Sequence, residues 1–363
     1  MKQQIISLLL LVLLSFCKEK EEPQTPGNAL YFPPISGDEW QTVDPDALGW
    51  DKNATLDLYN MLEQNGTRAF MVLVDGKIVL EKYFGKRLIG NQDFDRNSLW
   101  YWASAGKTLT AALVGIAKEQ GRIDLNRPSS TYLGPGWTSL TSAQELKITV
   151  WHQLTMTTGL DDGVPNSFDY TPSNLLFKAE PGTRWAYHNG PYTLLDKVVA
   201  NATGQEFSQY FNQQLGSKIG MTGSWQQVGF NNVFYSNARS MARFGILVLA
   251  QGKWDGIPVL KDEAFRLQMT QPSQQLNQSY GYLWWLNGKE SFMVPTLQVK
   301  FPGSVIPNGP QDMVCGLGKD GQYLCVIPSK NMVLVRLGEN PDQALVPFTF
   351  LNDIWEKLNK VIR

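Results

Sequence analysis

Histidine and cysteine are scarce: the 363 residues hold two of the first and three of the second, none at the spacing of a zinc centre built from them. Net charge is nearly absent too. Thirty-two Lys and Arg stand against 33 Asp and Glu, which leaves −1 and no basic footprint for nucleic acid. No internal repeat or low-complexity tract occurs. The apolar run Ile5–Leu14 is about ten residues long, half of the ~20 a helix needs to span a bilayer. What is present is globular material: 43% hydrophobic residues, 18% charged, 32 Gly and 20 Pro, enough for a substantial core and against disorder. The length predicts two structural units, at ~100–200 residues each.

Met1–Lys2 and the short apolar run read as a secretory signal over residues 1–17. Leu14–Ser15–Phe16–Cys17 resembles a bacterial lipoprotein cleavage box, which implies lipidation of Cys17 and anchorage to the cell envelope. The alternative is a simple signal peptide with an incidental cysteine. Residues 18–45, opening on the charged, Pro-containing stretch Lys18–Gly27, read as a flexible tether and lead-in. Cys315 and Cys325 remain as a pair that an oxidising compartment would permit to bond.

Ala54–Gln64 has helical spacing and stops at Asn65–Gly66. Ala69–Val74 and Ile78–Phe84 are β-rich runs around Asp75–Gly76, a hairpin signal. Trp100–Gln120 reads as one long apolar helix ending at Gly121. From Asp124 to about Ser240 helices and Gly/Pro loops dominate. Strand character returns at Gly281–Leu286, Gln322–Ile327 and Met332–Leu337, before an amphipathic helix over Phe348–Ile362. Strands near both ends must pair across the block between them. The expected fold is therefore α+β: an antiparallel sheet flanked by terminal helices, with an inserted all-helical subdomain. Residues 46–123 and 245–363 make the sheet domain, 124–244 the insertion, and the active site lies between the two.

The chemistry centres on Ser104–Ala105–Gly106–Lys107. In Ser-x-x-Lys a serine opening a helix sits one turn from a lysine, so the two side chains share a face. The helix N-terminus adds backbone N–H groups and partial positive charge. A serine hydroxyl needs a nearby base to become a nucleophile, and lysine serves only where burial or a neighbouring cation keeps it partly neutral. Two competing readings fail on one residue each. A phosphate-binding loop needs Gly at Tyr101, and a Gly-x-Ser-x-Gly elbow needs Gly at Trp102. Two further elements follow in order. Tyr187–His188–Asn189 offers a phenol for proton relay and an amide to orient a substrate. Lys319–Asp320–Gly321–Gln322, just ahead of a strand, brings a cation and a closely approaching backbone. Each alone reads equally well as an ordinary loop or turn.

Together, Ser-x-x-Lys, Tyr-x-Asn and Lys-x-Gly resemble the serine β-lactamase and penicillin-binding-protein superfamily, and most nearly its class C β-lactamase-related group of esterases, D-aminopeptidases and amide hydrolases. Ile148–Leu160, Arg239–Gly245, Tyr280–Trp285 and Val326–Lys330 share the group's habits, so the likeness runs from about Leu48 to the C-terminus. The resemblance implies that Ser104 is the acylated nucleophile and that Lys107 and Tyr187 are base and relay. It implies that Asn189 and Lys319 bind substrate, and that the N–H groups of Ser104 and Gln322, beyond Gly321, form the oxyanion hole. It implies no metal or cofactor. Asp320 stands where β-lactam-active relatives typically carry Thr, which weighs against a dedicated β-lactamase. A small ester, amide or β-lactam is the expected substrate, with short esters and compact amides first and β-lactams or cell-wall D-amino-acid peptides second. The reading from another class is a non-catalytic penicillin-recognising lipoprotein. His188 and His152 read as bystanders, and Trp284–Trp285 as core residues or pocket walls.

Overall fold

The computed structural model describes residues 30–37 and 39–362. The signal segment with Cys17 and the first part of the tether lie outside the described residues. Helix α1 (Lys52–Gln64) starts where the Asp51 carboxylate accepts from the N–H groups of Asn53 and Ala54, satisfying donors that have no partner within the helix. It leads into β1 (Thr67–Val74) and β2 (Lys77–Tyr83). Asp75 and Gly76 between them both have positive φ, 50° and 77°, as the two-residue hairpin turn demands.

The expected single helix over Trp100–Gln120 is divided. Trp100–Tyr101 form a short strand, β3, and Ala103–Gly106 a 3-10 turn; helix α2 begins only at Lys107 and runs to Glu119. The break falls at Ala103, whose φ of 47° cannot continue a right-handed helix. From Thr108 to Ala117 every residue of α2 is buried, which makes it the central helix of the molecule.

Helix α3 (Asn189–Thr203) is followed by a hairpin of β4 (Ser224–Val228) and β5 (Asn231–Ser236), then by α4 (Ala238–Leu249). The remaining sheet strands are β6 (Trp285–Leu286), β7 (Val314–Gly318), β8 (Gln322–Ile327) and β9 (Met332–Gly338), before the terminal helix α5 (Phe348–Val361). The main sheet is antiparallel throughout, in the order β2-β1-β9-β8-β7-β6. Strands from the two ends of the chain pair at β1 and β9, as the sequence predicts. Every residue of β8 and β9 is buried, so the sheet is covered on both faces. Helix α1 packs on α5 and β1, and α4 on β9, β8 and β1. Gly245 lets α4 approach closely: a Cβ there would lie 2.5 Å from Val333 Cγ1.

Two expectations about the middle of the chain need correction. The insertion is not all helical, because β4 and β5 form a small sheet with β3. The boundary at 244/245 falls inside α4, whose buried face belongs to the sheet. Lys319–Gly321, expected just ahead of a strand, is the turn joining the interior strands β7 and β8. Cys315 and Cys325 face each other across β7 and β8 and are joined by a disulfide.

Candidate active site

Ser104 lies within the 3-10 turn that the strained Ala103 creates, one turn before α2 sets out from Lys107. The Lys107 ammonium donates to Ser104 Oγ at 3.0 Å and to Asn189 Oδ1 at 2.7 Å. Its Nζ also lies 4.1 Å from the ring centre of Tyr192 and 5.0 Å from that of Tyr187. Lys107 is only 3% exposed. Burial pulls its pKa down to about 7, against a smaller upward pull from the charge of Asp196. Burial thus favours the neutral amine, the form a general base requires.

Tyr187 and Asn189 are delivered by α3. Asn189 is the first residue of that helix, and His188 occupies its N-cap without capping it. The incoming segment is fixed from beneath: Ala186 N–H donates to Met156 O at 2.9 Å and Gly182 N–H to Thr157 O at 2.8 Å. The Ile148–Leu160 stretch thus acts as a brace for the Tyr-x-Asn loop. Tyr187 stacks on Trp285, 5.8 Å between ring centres and 27° between planes, with its hydroxyl buried. Burial raises its pKa, and Ser104 partly offsets that rise.

The third element is shifted from its expected place. Gly318, at the end of β7, passes against the nucleophile: a Cβ there would stand 2.5 Å from Trp102 O and 3.1 Å from Ser104 N. Lys319 and Asp320 line the cleft, with Asp320 accepting from Tyr101 Oη at 2.8 Å. Gln322 does not reach the cleft. It is fully buried, and its side-chain amide bonds both to Gly338 O (2.7 Å) and to Gly338 N (3.0 Å) on β9. Gly321 likewise has a structural setting, with φ 74°. Arg336 holds the turn by donating to Asp320 O at 2.5 Å and Gly321 O at 2.9 Å. The alternation of β7 and β8 thus puts the end of β7, not the start of β8, beside Ser104.

The cleft has a volume of about 390 Å³, within the usual range for small-molecule sites. Ser104, Lys107, Tyr187, Asn189 and Lys319 all line it, together with the apolar surfaces of Phe168, Val228, Val233, Tyr235 and Leu345. Trp284 and Trp285 are core residues that do not line it. Neither histidine lines the cleft. His152 Nδ1 lies 3.1 Å from Thr149 N in a capping box, and burial lowers the pKa of each histidine to about 4. Among the described residues no group of three or more His, Cys, Asp or Glu is gathered to hold a metal.

Several site residues escaped the sequence reading. Tyr192 was within reach of it, lying three residues beyond Asn189 on the same helical face. Asp196 lies one further turn along α3. Its Oδ2 accepts from Asn232 Nδ2 at 2.9 Å, while Oδ1 is buried without a hydrogen bond. Asn232, Val233 and Tyr235 carry no signal of their own, because only the folding of the β4–β5 hairpin brings them to the site.

A family model described as Beta-lactamase matches residues 62–342. An uncharacterized protein of Alkalihalophilus pseudofirmus is 24% identical over 306 residues, 76% of this chain and 84% of that one. The D-alanyl-D-alanine-carboxypeptidase/endopeptidase AmpH of Escherichia coli (strain K12) is 28% identical over 166 residues, a match that spans 42% of this chain and 43% of that protein. Among solved structures, a family VIII carboxylesterase superposes with a TM-score of 0.65 at 14% identity, covering 89% of this chain and 99% of that one. At that identity the likeness is one of fold.

Proposed function

The chain belongs to the Beta-lactamase family of serine hydrolases, and on that premise we propose that it hydrolyses a small ester or amide through an acyl-enzyme on Ser104. One observation carries the reading: a lysine whose pKa is brought to about 7 holds its Nζ 3.0 Å from the serine oxygen. Ser104 Oγ attacks the substrate carbonyl as its proton passes to neutral Lys107. Tyr187, beside both, gives its proton to the leaving alcohol or amine as the C–O or C–N bond breaks and takes the one held on Lys107 in exchange, so that both return to their starting states. The oxyanion is held by the N–H of Ser104 and by the N–H that follows Gly318, that of Lys319, in place of the Gln322 donor inferred from sequence. Each such donor is worth about 2.7–4 kcal/mol in the transition state. Water then attacks the acyl-enzyme through the same relay in reverse. Asn189, bonded to Lys107, orients the base and the substrate carbonyl.

The apolar lining favours esters and compact amides. The second reading, a β-lactam or a D-amino-acid peptide, is favoured by Lys319, an exposed cation at the cleft rim suited to a substrate carboxylate, and by the name of the E. coli relative. The proposal includes export and lipidation at Cys17. The Cys315–Cys325 disulfide supports it, being of a kind retained in oxidising compartments.

Turnover of 4-nitrophenyl butyrate, D-alanyl-D-alanine peptides and a chromogenic cephalosporin by the chain lacking residues 1–17 separates the readings. The expected order is ester first, with all activity lost in Ser104→Ala. Cephalosporin or peptide turnover that exceeds ester turnover selects the second reading. Fatty-acid incorporation that disappears in Cys17→Ser tests the anchor.

A further inference from the structure

The catalytic cleft does not end at its own walls. In the β4–β5 hairpin Val228 faces Asn231, Gln226 faces Val233 and Ser224 faces Tyr235. Directly opposed residues of an antiparallel pair point to the same side, and the side alternates along each strand. Val228, Val233 and Tyr235 therefore lie on one face with Gln226 and Ser224. One end of that face forms the wall of the catalytic cleft. The face continues into a second cavity of about 580 Å³, in which Val228 and Tyr235 recur beside Leu88, Ile89 and Leu99. A second structural link joins the two spaces. Leu99, in the outer cavity, is two residues before Tyr101, in the catalytic cleft, at most about 7 Å along an extended chain.

The outer cavity leaves large aliphatic side chains in solvent: Ile89 is 86% exposed, Leu99 49%, Val228 49% and Leu88 44%. Isolated exposed apolar residues need no explanation, but four around one groove that shares the Val228 and Tyr235 wall of the cleft do. The cation there is already engaged, since Arg87 donates to Asp95 at 2.7 Å and to Gln92 at 3.2 Å. Of the polar lining, Gln226 donates to Ser224 Oγ at 2.9 Å and Gln227 to Gly229 O at 2.7 Å, so the aliphatic side chains make up most of the unengaged surface, which suits a hydrocarbon.

We propose that this groove is an acyl subsite: the substrate carries an apolar arm on its acyl group that runs from Ser104 across Tyr235 and Val228 to Ile89 and Leu99. The proposal rests on the hydrolase reading above and names its substrate class, esters or amides of medium-chain or arylalkyl acids. The acyl group is the part of the substrate that stays on Ser104 through both half-reactions. A subsite on the wall beside Ser104 therefore acts on formation and breakdown of the acyl-enzyme alike. Full burial of a methylene is worth about fourfold, from ~0.8 kcal/mol. A groove open on one side yields about half that free energy, roughly twofold per methylene.

The test is kcat/KM for 4-nitrophenyl esters from acetate to decanoate, kept below their micelle concentrations, beside inhibition by alkylboronic acids of the same chain lengths. Boronic acids add to a serine hydroxyl without turnover. Both series should gain roughly twofold per carbon. Leu88→Asp/Ile89→Asp, well away from the catalytic groups, should flatten both series and leave acetate hydrolysis unchanged. Flat series in the wild-type chain, or a gain that survives the double substitution, overturn the proposal. Boronate inhibition that strengthens with length on a protein that turns over no ester would uphold the groove and defeat the hydrolase reading. A gain along the alcohol chain of acetate esters, with none along the acyl chain, would place the arm in the leaving group and overturn the acyl assignment.

Discussion

On the proposed mechanism, Lys107 decides the chemistry at the scale of single residues. Its ammonium is almost wholly out of water, and the resulting loss of solvation is what brings its pKa to about 7. A lysine acting as the proposed base is neutral above that pH, so kcat/KM should rise with pH through an apparent pKa near 7. A profile flat from pH 5.5 to 8.5 would contradict this. Lys107→Ala should cost on the order of 10²–10⁴ in kcat. Asp196 works in the other direction: among the described residues it is the one anion that raises the lysine's pKa. Burial in turn raises the Asp196 pKa to about 7, against the pull of Asn232, Thr110 and Lys107. The two groups therefore titrate as a pair. Asp196→Asn removes the anion, so Lys107 loses its proton more readily and the rising limb of the profile moves to lower pH. A merely structural role for Asp196 would lower the rate at every pH and leave the limb in place. Ser104, Lys107, Tyr187 and Asn189 were legible in the sequence because Ser-x-x-Lys and Tyr-x-Asn are each local, within one helical turn. Asp196 was not, because the burial that makes a carboxyl matter is a property of the folded chain.

At the scale of elements, the site depends on where strands and helices stop. Ala103 ends β3 and throws Ser104 into a turn ahead of α2, while β7 brings Gly318 to the back of that turn. Gly318→Ala would set a methyl 2.5 Å from Trp102 O, a backbone atom with no freedom to yield. The substitution should destabilise by about 1–3 kcal/mol. It should lower kcat by more than tenfold with little change in KM, because the oxyanion donors separate while the cleft keeps its shape. Denaturant midpoints and steady-state kinetics report the two effects, and an alanine variant of full activity would refute the placement. The same element explains the misplaced third motif. Residues 322–327 read as a strand preceded by a Lys-x-Gly turn and residues 314–318 as no strand at all, because Cys315–Gly316–Leu317–Gly318 has no β-branched run to mark it as one. It is one nonetheless, since every residue of β7 is buried between β6 and β8. The β1–β2 hairpin, α1 and α5 were legible because their turn chemistry and periodicity agree with their final burial.

At the scale of the whole molecule, stability should fall in acid and on reduction. His188, 1% exposed with neither ring nitrogen bonded, has its pKa lowered to about 4, chiefly by burial and against the upward pull of Asp162 and Asp161. A group whose folded pKa lies below its unfolded value contributes its full stability above the unfolded value, ~6.5. That stability is lost as the pH falls towards the folded one. The loss for His188 between pH 6.5 and 4 is on the order of 3 kcal/mol, and His152 adds to it in the same direction. Unfolding midpoints measured from pH 7.5 to 4 should drop steeply, and less so in His188→Gln. The Cys315–Cys325 bond closes a short loop around the β7–β8 turn. Chain entropy assigns it about 2–3 kcal/mol, so Cys315→Ser/Cys325→Ser should lower the midpoint while leaving the site assembled. The antiparallel sheet that joins the two ends of the chain was legible from the distribution of strand-like runs. The hairpin within the insertion was not, because Ser224–Val228 is polar and mostly exposed and shows none of the apolar alternation that marks a half-buried strand.

The most direct test of the central claim is intact-mass spectrometry of the chain lacking residues 1–17, treated with a fluorophosphonate at pH 6 and pH 8. One adduct on the wild-type protein is predicted, faster at pH 8, absent in Ser104→Ala and slowed at least a hundredfold in Lys107→Ala. An adduct that persists in Ser104→Ala, or a folded wild-type chain that takes up none, would contradict the assignment of an activated serine at this site.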